Sequence, residues 1–411
     1  MTTVVGTVIP VAEEFLGIGR EGTTGTVAAP TATIPTEKID PENKVTYLED
    51  NTLRGMMATL FSITAGTESA AVDFSGPVYL DTIGHVLLNL MGDYSVTGTP
   101  GASNGTGTAT SAGATTMTIV GGTASLPIGT AIQIPAGTGT PAQIVVLSAL
   151  STTTLLTFAN TPLRFAVSGT PALTVATAPF THTFSLLNSS PGQPPTHTIT
   201  HYDGITGTNK AAQFAYWCAT GCSFNMDAEK LFMHDTKGVA YTQQAAAAPV
   251  TNSFSTVPVY PNWRFAVGIA GPASGGTLVN NITLASLDIN RVVKPYWTAS
   301  GQQLPYVFGR NALSVEGKFT EVAQNNTNLT SMLNNTQQIL QLAATNGLGG
   351  ANLLAITFNM NLCAFETVKL NNNDVIEYES TFKAIANSTN AGASGGQSPI
   401  SIIIQNAVPT Y

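Results

Sequence analysis

Five histidines and three cysteines are the chain's whole stock of imidazole and thiol side chains, and two pairs of them stand four residues apart: His197 with His201, and Cys218 with Cys222. On a helix that spacing would place both ligands on one face and suit zinc. The composition of residues 196–202 reads as strand instead, where positions i and i+4 point the same way but lie about 13 Å apart. A shared metal is therefore not expected. The cysteine pair has the same defect and lacks the second ligand pair of a structural zinc site. His85 falls inside an apolar helical pattern and reads as a packed side chain. Three cysteines, the last being Cys363, give no disulfide framework.

Other catalytic signatures are missing. The sequence contains no G-x-S-x-G elbow, no G-x-x-x-x-G-K-[ST] loop and no H-E-x-x-H helix. Gly347-Leu-Gly-Gly350 and Gly392-Ala-Ser-Gly-Gly396 read as turn chemistry, because no strand-to-helix context surrounds them. Asn188-Ser-Ser190 and Asn334-Asn-Thr336 match a glycosylation sequon, as an Asn- and Thr-rich chain does by chance. Trp217, Trp263 and Trp297 read as core or interface anchors before sugar platforms. A glycan hydrolase needs two carboxylates facing one cleft, and here the acids are few and scattered. The expectation is a protein that is not an enzyme, with no cofactor and no catalytic or metal-binding residues.

The chain that carries these residues has 411 positions, 15 basic and 23 acidic side chains and a net charge of −8, so only 9% of it is charged against about 25% in an ordinary soluble domain. Apolar residues at 43% suffice for sizeable cores. With an acidic balance and no Lys/Arg cluster, specific nucleic-acid binding is not expected, since phosphate contacts need a basic patch. No apolar run approaches the roughly 18–20 residues of a membrane span. The first basic residue is Arg20, so the basic start of a secretion signal is missing, and the chain is expected to fold in a cytoplasm.

Charge is unevenly spread. Residues 94–202 hold one charged side chain, Arg164, among Thr, Gly, Ala and Ser. Short β-branched runs at 116–120, 131–134, 144–150, 155–158, 163–167 and 173–175 are separated by Gly/Pro/Thr punctuation, which reads as a small all-β module entered through a low-complexity linker at 98–116. Outside this block the chain repeats itself. Val72-Asp-Phe74-Ser-Gly76 alternates as a strand, Asp81 stands where a helix N-cap belongs, and Ile83, Val86, Leu87, Leu90 and Met91 form an apolar stripe closed by Gly92. Leu313-Ser-Val315-Glu-Gly317-Lys-Phe319 alternates in the same way and leads to Leu329, Met332 and Leu333. An offset of 241 carries Gly76 onto Gly317, and an offset of 141 carries Cys222-Ser-Phe224 onto Cys363-Ala-Phe365. The reading is a mainly β protein with a duplicated unit and one short flanking helix per copy. Its domains are 1–97 with 179–254, an inserted module at 98–178, and a second unit at 255–411.

One strand face is chemically distinctive. Residues 375–384 alternate between Ile376, Tyr378 and Phe382 on one side and Glu377, Glu379, Thr381 and Lys383 on the other. Asp73 and Glu316 hold matching outward positions on the earlier strands of the two copies. Any antiparallel sandwich shows a wet face beside a dry one, so the pattern gains meaning only in an assembly.

Several segments resemble the major tail tube proteins of long-tailed, non-contractile (siphovirus-type) bacteriophages. The resemblance is carried by Gly17-Ile-Gly19-Arg-Glu21 and the following Gly/Thr run, Leu53-Arg-Gly-Met-Met57, Gly76-Pro-Val-Tyr-Leu-Asp-Thr-Ile-Gly84 and Phe184-Ser-Leu-Leu-Asn188. Ser255-Thr-Val-Pro258, Leu333-Asn-Asn-Thr-Gln337, Asn346-Gly-Leu-Gly-Gly350 and residues 384–411 add to it. It implies tail-tube β-sandwich or barrel units whose sheets join edge to edge into a ring around a channel, the rings stacking through extended arms. With two units per chain the resemblance implies a trimeric, pseudo-sixfold ring, with a hexamer as the alternative. Its implied partners are further copies of itself, a tape measure protein, a tail terminator and tail-tip proteins, in a virion tail made in the host bacterial cytoplasm, with DNA passing through and no membrane bound. On this reading Asp73, Glu316, Glu377 and Glu379 face the lumen, in a wall almost free of Lys and Arg. The arms would be residues 1–44, 47–61 and 387–411, with Glu21, Leu53, Arg54, Met56 and Tyr411 as inter-ring contacts. A virion-surface or secreted β-rich adhesin is the competing reading.

Overall fold

Period-two alternation sets most of the backbone. The computed structural model describes residues 9–138, 140–188, 193–372 and 374–411. Residues 1–8 of the expected first arm, and positions 189 and 190 of the first sequon, lie outside the described residues. Strands β1 (Phe15–Arg20), β2 (Ala32–Ile34), β3 (Lys38–Asp50) and β4 (Ser62–Pro77) lead into helix α1 (Ile83–Met91), from which β5 (Gly92–Gly107) departs. Short strands β6 (Thr116–Val120), β7 (Ala131–Ile134), β8 (Gln143–Val146) and β9 (Leu155–Thr157) follow before β10 (Ala172–Leu186) returns beside β5. Then come β11 (His197–Tyr202), β12 (Ala211–Asp227), β13 (Met233–Ala240) and β14 (Gln244–Ala245). The rest of the chain supplies β15 (Phe265–Ile269), β16 (Leu278–Val279), β17 (Ile282–Tyr296) and β18 (Val307–Val322), helix α2 (Thr327–Leu333), and β19 (Gln338–Thr345), β20 (Ala355–Asn372), β21 (Ile376–Ala384) and β22 (Ser401–Asn406).

Eight of these strands form one antiparallel run in the order β3, β4, β13, β12, β17, β18, β21, β20. Its register repeats. Lys38 pairs with Ser75 as Asp288 pairs with Glu316, Gly76 with His234 as Gly317 with Phe382, and Cys222 with Thr236 as Cys363 with Ala384. The first four strands thus have the pairing of the last four, each set carrying a helix after its second strand. Against the apolar side of this run lie β5, β10, β22, the first half of β20, β19 and β15, joined by antiparallel ladders. Between the two layers sits a shared core that includes Val72, Phe74, Trp217, Phe224, Leu287, Phe319, Phe358 and Phe382.

Helix α1 shows what such a core demands. All nine of its residues are buried, and each of its larger apolar side chains contributes about 1.5–3 kcal/mol by leaving water. Gly92 ends it at φ 86°, with its N–H on the carbonyl of Leu88, a conformation that favours glycine. The N-cap position is Thr82 and not the expected Asp81, and it caps without a side-chain bond. The Asp81 carboxylate is occupied elsewhere, accepting from Ser255 Oγ at 2.9 Å. Helix α2 departs further from expectation. It buries Asn328 and Ser331, Leu329 and Met332 are half-buried, and Leu333 is 72% exposed. Asn328 Nδ2 donates to Glu321 at 2.7 Å, so a polar bond turns the helix away from the stripe its apolar spacing implied.

The charge-poor stretch has its own core, built from Met117, Ile119, Ile132, Val145, Leu156, Phe158 and Leu173 with their neighbours. Residues 98–107 are not a linker: they extend β5 and pair with β10 from Thr99↔Thr177 to Thr106↔Ala172. Residues 163–167, expected as a strand, make a single bridge between Thr110 and Val167. The segment 387–411 is not a free arm either. Its strand β22 is hydrogen-bonded on both edges, to β10 and β20, and the Tyr411 ring lies in the core beside His85, His182 and Phe184.

Candidate assembly surfaces

One face of the eight-strand run is core; the other is polar, and it gathers the four carboxylates singled out from the sequence. Across the strands the register sets Lys38, Ser75, Asp235, Ser223, Asp288, Glu316, Lys383 and Ala364 in one row. Asp73 stands opposite Asp40 in the adjoining row, while Glu379 faces Lys369 and Glu377 faces Asn371 further along. Burial pushes the Asp73 carboxyl up, offset by a hydrogen bond from the Gly238 N–H at 3.1 Å. Lysines 38, 237, 318, 369 and 383 occupy the same face. Lys38 pairs with Asp40 at 2.8 Å and Lys383 with Glu366 at 2.6 Å. Acids still outnumber lysines, and the directly opposed pairs Asp40/Asp73 and Asp288/Glu316 are of like sign, an arrangement that costs stability.

Among the described residues, both ends of the run are bare. β3 has one strand partner, β4, and residues 364–372 of β20 have one, β21. Unpaired N–H and C=O groups along a strand margin are templates for another chain. The loop joining β3 to β4 adds an apolar surface: Leu53 and Met57 are fully exposed and Met56 is 70% exposed, while Arg54 is tied back to Asp50 and lies 4.7 Å over the Phe61 ring.

Two expected arm contacts lie inside the molecule. Glu21 is buried and accepts four hydrogen bonds, from Gly25 N at 2.7 Å, Tyr216 N at 2.6 Å, Thr196 Oγ1 at 2.6 Å and Thr198 Oγ1 at 2.9 Å. Tyr411 OH donates to the carbonyl of Leu80 at 3.0 Å and accepts from Asn406 Nδ2 at 2.6 Å. Neither is available to a neighbour. A polar knot that the sequence did not betray locks α1 to the second set of strands. Arg310 Nη1 donates to the Asn89 carbonyl at 2.9 Å and Arg291 Nη1 to the Leu90 carbonyl at 2.6 Å, satisfying the orphan end of the helix. No motif spacing signals such a contact, because its partners are some 200 residues apart.

The imidazoles and thiols are sequestered. His197 and His201 share strand β11, but His197 Nδ1 is held by Asn89 at 3.0 Å whereas His201 Nε2 meets Glu14 at 3.3 Å. Burial lowers His85, His182 and His234 to about 4 and raises the Cys222 and Cys363 thiols to about 12. Among the described residues no cluster of His, Cys, Asp and Glu could hold a metal ion. Trp217 is buried with its Nε1 on the Val72 carbonyl at 3.2 Å; Trp263 and Trp297 are exposed. No helix among the described residues is long and apolar enough to cross a membrane. A family model described as phage tail tube protein matches residues 12–384. No curated protein matches the chain.

Proposed function

On the premise that this chain belongs to the phage tail tube protein family and is a structural component of the virion tail, we propose that it closes into rings by joining sheet edges and that the stacked rings conduct the genome. The single observation behind this reading is the eight-strand run with one bare margin at each end, β3 and β20. Two different margins make a head-to-tail contact, which closes into a ring when the rotation permits and runs on as a filament when it does not.

The duplicated pairing favours three chains per ring, each supplying two of six similar units. The polar face then lines the bore. There Asp73, Glu316, Glu377 and Glu379 stand with Asp40, Asp235 and Asp288, while ion pairs neutralise Lys38 and Lys383. A net acidic wall keeps phosphate from sticking. The protein acts as a conduit and not as an enzyme, its neighbours in the tail being a tape measure protein, a terminator and tip proteins. Residues 98–178 project as a decoration, and Leu53, Arg54 and Met56 serve contacts between rings. The chain is made in the bacterial host's cytoplasm, for a siphovirus-type tail.

Electron microscopy of the purified protein tests this. Hollow tubes or rings with threefold symmetry are the expected result. Monomers that stay dispersed at high concentration would favour the adhesin reading, and a sixfold ring of whole chains would overturn the stoichiometry.

A further inference from the structure

The molecule contains one finished copy of the joint that a ring would need, because β12 of the first strand set pairs with β17 of the second, from Gly221↔Asn290 to Asp227↔Leu284. The two bare margins are the repeats of these two strands. The shared pairing carries Cys222 of β12 onto Cys363 of β20, since both precede a matching partner on β13 or β21. It carries Asp288 of β17 onto Lys38 of β3, since both face matching positions on β18 and β4. Every unit in a closed ring then sees the same neighbours if the open joint copies the closed one.

We infer that the bare margin of β20 takes β3 of a second copy of this chain in antiparallel register, with Ala364 opposite Lys38 and Phe365 opposite Glu37, starting just beyond Cys363, where β19 ends its own pairing with β20. These pairs are the images of Ser223↔Asp288 and Phe224↔Leu287. At the closed joint the inward members Cys222, Phe224, Leu287 and Ile289 are buried; at the open one Phe365 is buried already and Ile39 packs against the core from its margin, while the exposed Glu37 stands in the place of Leu287. A slip of one residue would set the inward side chains of one strand beside the outward ones of the other, so the register is strongly specified.

Helix α2 supplies an independent sign. The end of α1 is covered by Arg291 and Arg310 of β17 and β18, across the closed joint. The corresponding end of α2 carries Leu333, 72% exposed, and the strands equivalent to β17 and β18 are β3 and β4 of the arriving copy. The apolar side chain that α2 leaves uncovered lies where the neighbour would land.

This inference rests on the ring reading, and the test separates the two. Full-length protein carrying Lys38→Cys and Ala364→Cys is assembled and oxidised, then run on a non-reducing gel. Linked dimers and trimers are expected. Each single variant should stay at monomer mass, as should the slipped pair Lys38→Cys with Leu362→Cys. Hydrogen exchange on unmodified protein covers the case in which the variants fail to assemble: amides of residues 36–40 and 362–366 should slow by at least about tenfold on assembly. Tubes by microscopy without the cross-link or the protection, or cross-linking of the slipped pair, would overturn the register and leave the conduit standing. Absence of any ring or tube from unmodified protein would overturn the ring reading itself.

Discussion

Glu21 shows how much one buried side chain decides. Its two oxygens accept from two backbone N–H groups and two hydroxyls, tying the end of β1 to β11 and β12. Glu21→Gln keeps the shape but turns an amide NH2 toward donors, so we expect a loss of about 2–4 kcal/mol in a denaturation curve, from weakened charge-assisted bonds and an unsatisfied N–H. A loss below about 0.5 kcal/mol would mean that solvent reaches the site. The buried histidines set the response to acid. With His85, His182 and His234 lowered to about 4 by burial, they stay neutral in the fold while the unfolded chain takes up protons below about 6.5. Stability is therefore full above pH 6.5 and is lost as pH falls toward 4, by about 2 kcal/mol per histidine at pH 5. Urea unfolding at pH 7 and pH 5 measures this directly; equal stabilities would show that the rings titrate in the folded protein.

Among the elements, the β5–β10 hairpin carries the most consequence. It runs from Gly92↔Leu186 at the core to Thr106↔Ala172 at its tip, and the charge-poor block grows from that tip around its own cluster. Such an insertion disturbs its host little, because antiparallel strands can also be joined by two residues. Replacing residues 108–171 with a short Gly-containing turn should leave tube assembly unchanged by microscopy, and collapse of assembly would make the block part of the core. Such a deletion severs the β7–β10 ladder from Thr174↔Gln133 to Ala176↔Ala131, and with it Arg164 over the Tyr94 ring at 4.4 Å. Helix α1 and the alternation of β4 and β18 were legible in the sequence, because each rests on local period or a stop residue such as Gly92. The burial of Glu21 and Tyr411, the polar side of α2 and the double pairing of β22 were not. Each depends on what a distant strand offers: Thr196 and Tyr216 to Glu21, Glu321 to Asn328, β10 and β20 to β22.

At the scale of the whole molecule, the repeated register explains why so sparsely charged a chain spends its charge where it does. The wet side of the eight-strand run places Asp288 against Glu316 and Asp40 against Asp73, neighbours that would be traded away if folding stability alone were selected. The four candidate carboxylates were legible as outward positions, yet the sequence could not show that lysines 38, 237, 318, 369 and 383 share their side, since that follows from strand order. The two bare margins have a cost in the free molecule. Until a sibling arrives, they will accept any extended peptide that fits, and the nearest is often one in a misfolded or half-made chain. Production of this protein is therefore a race between orderly growth and clumping, and a template that presents the first correct edge would tip it toward growth.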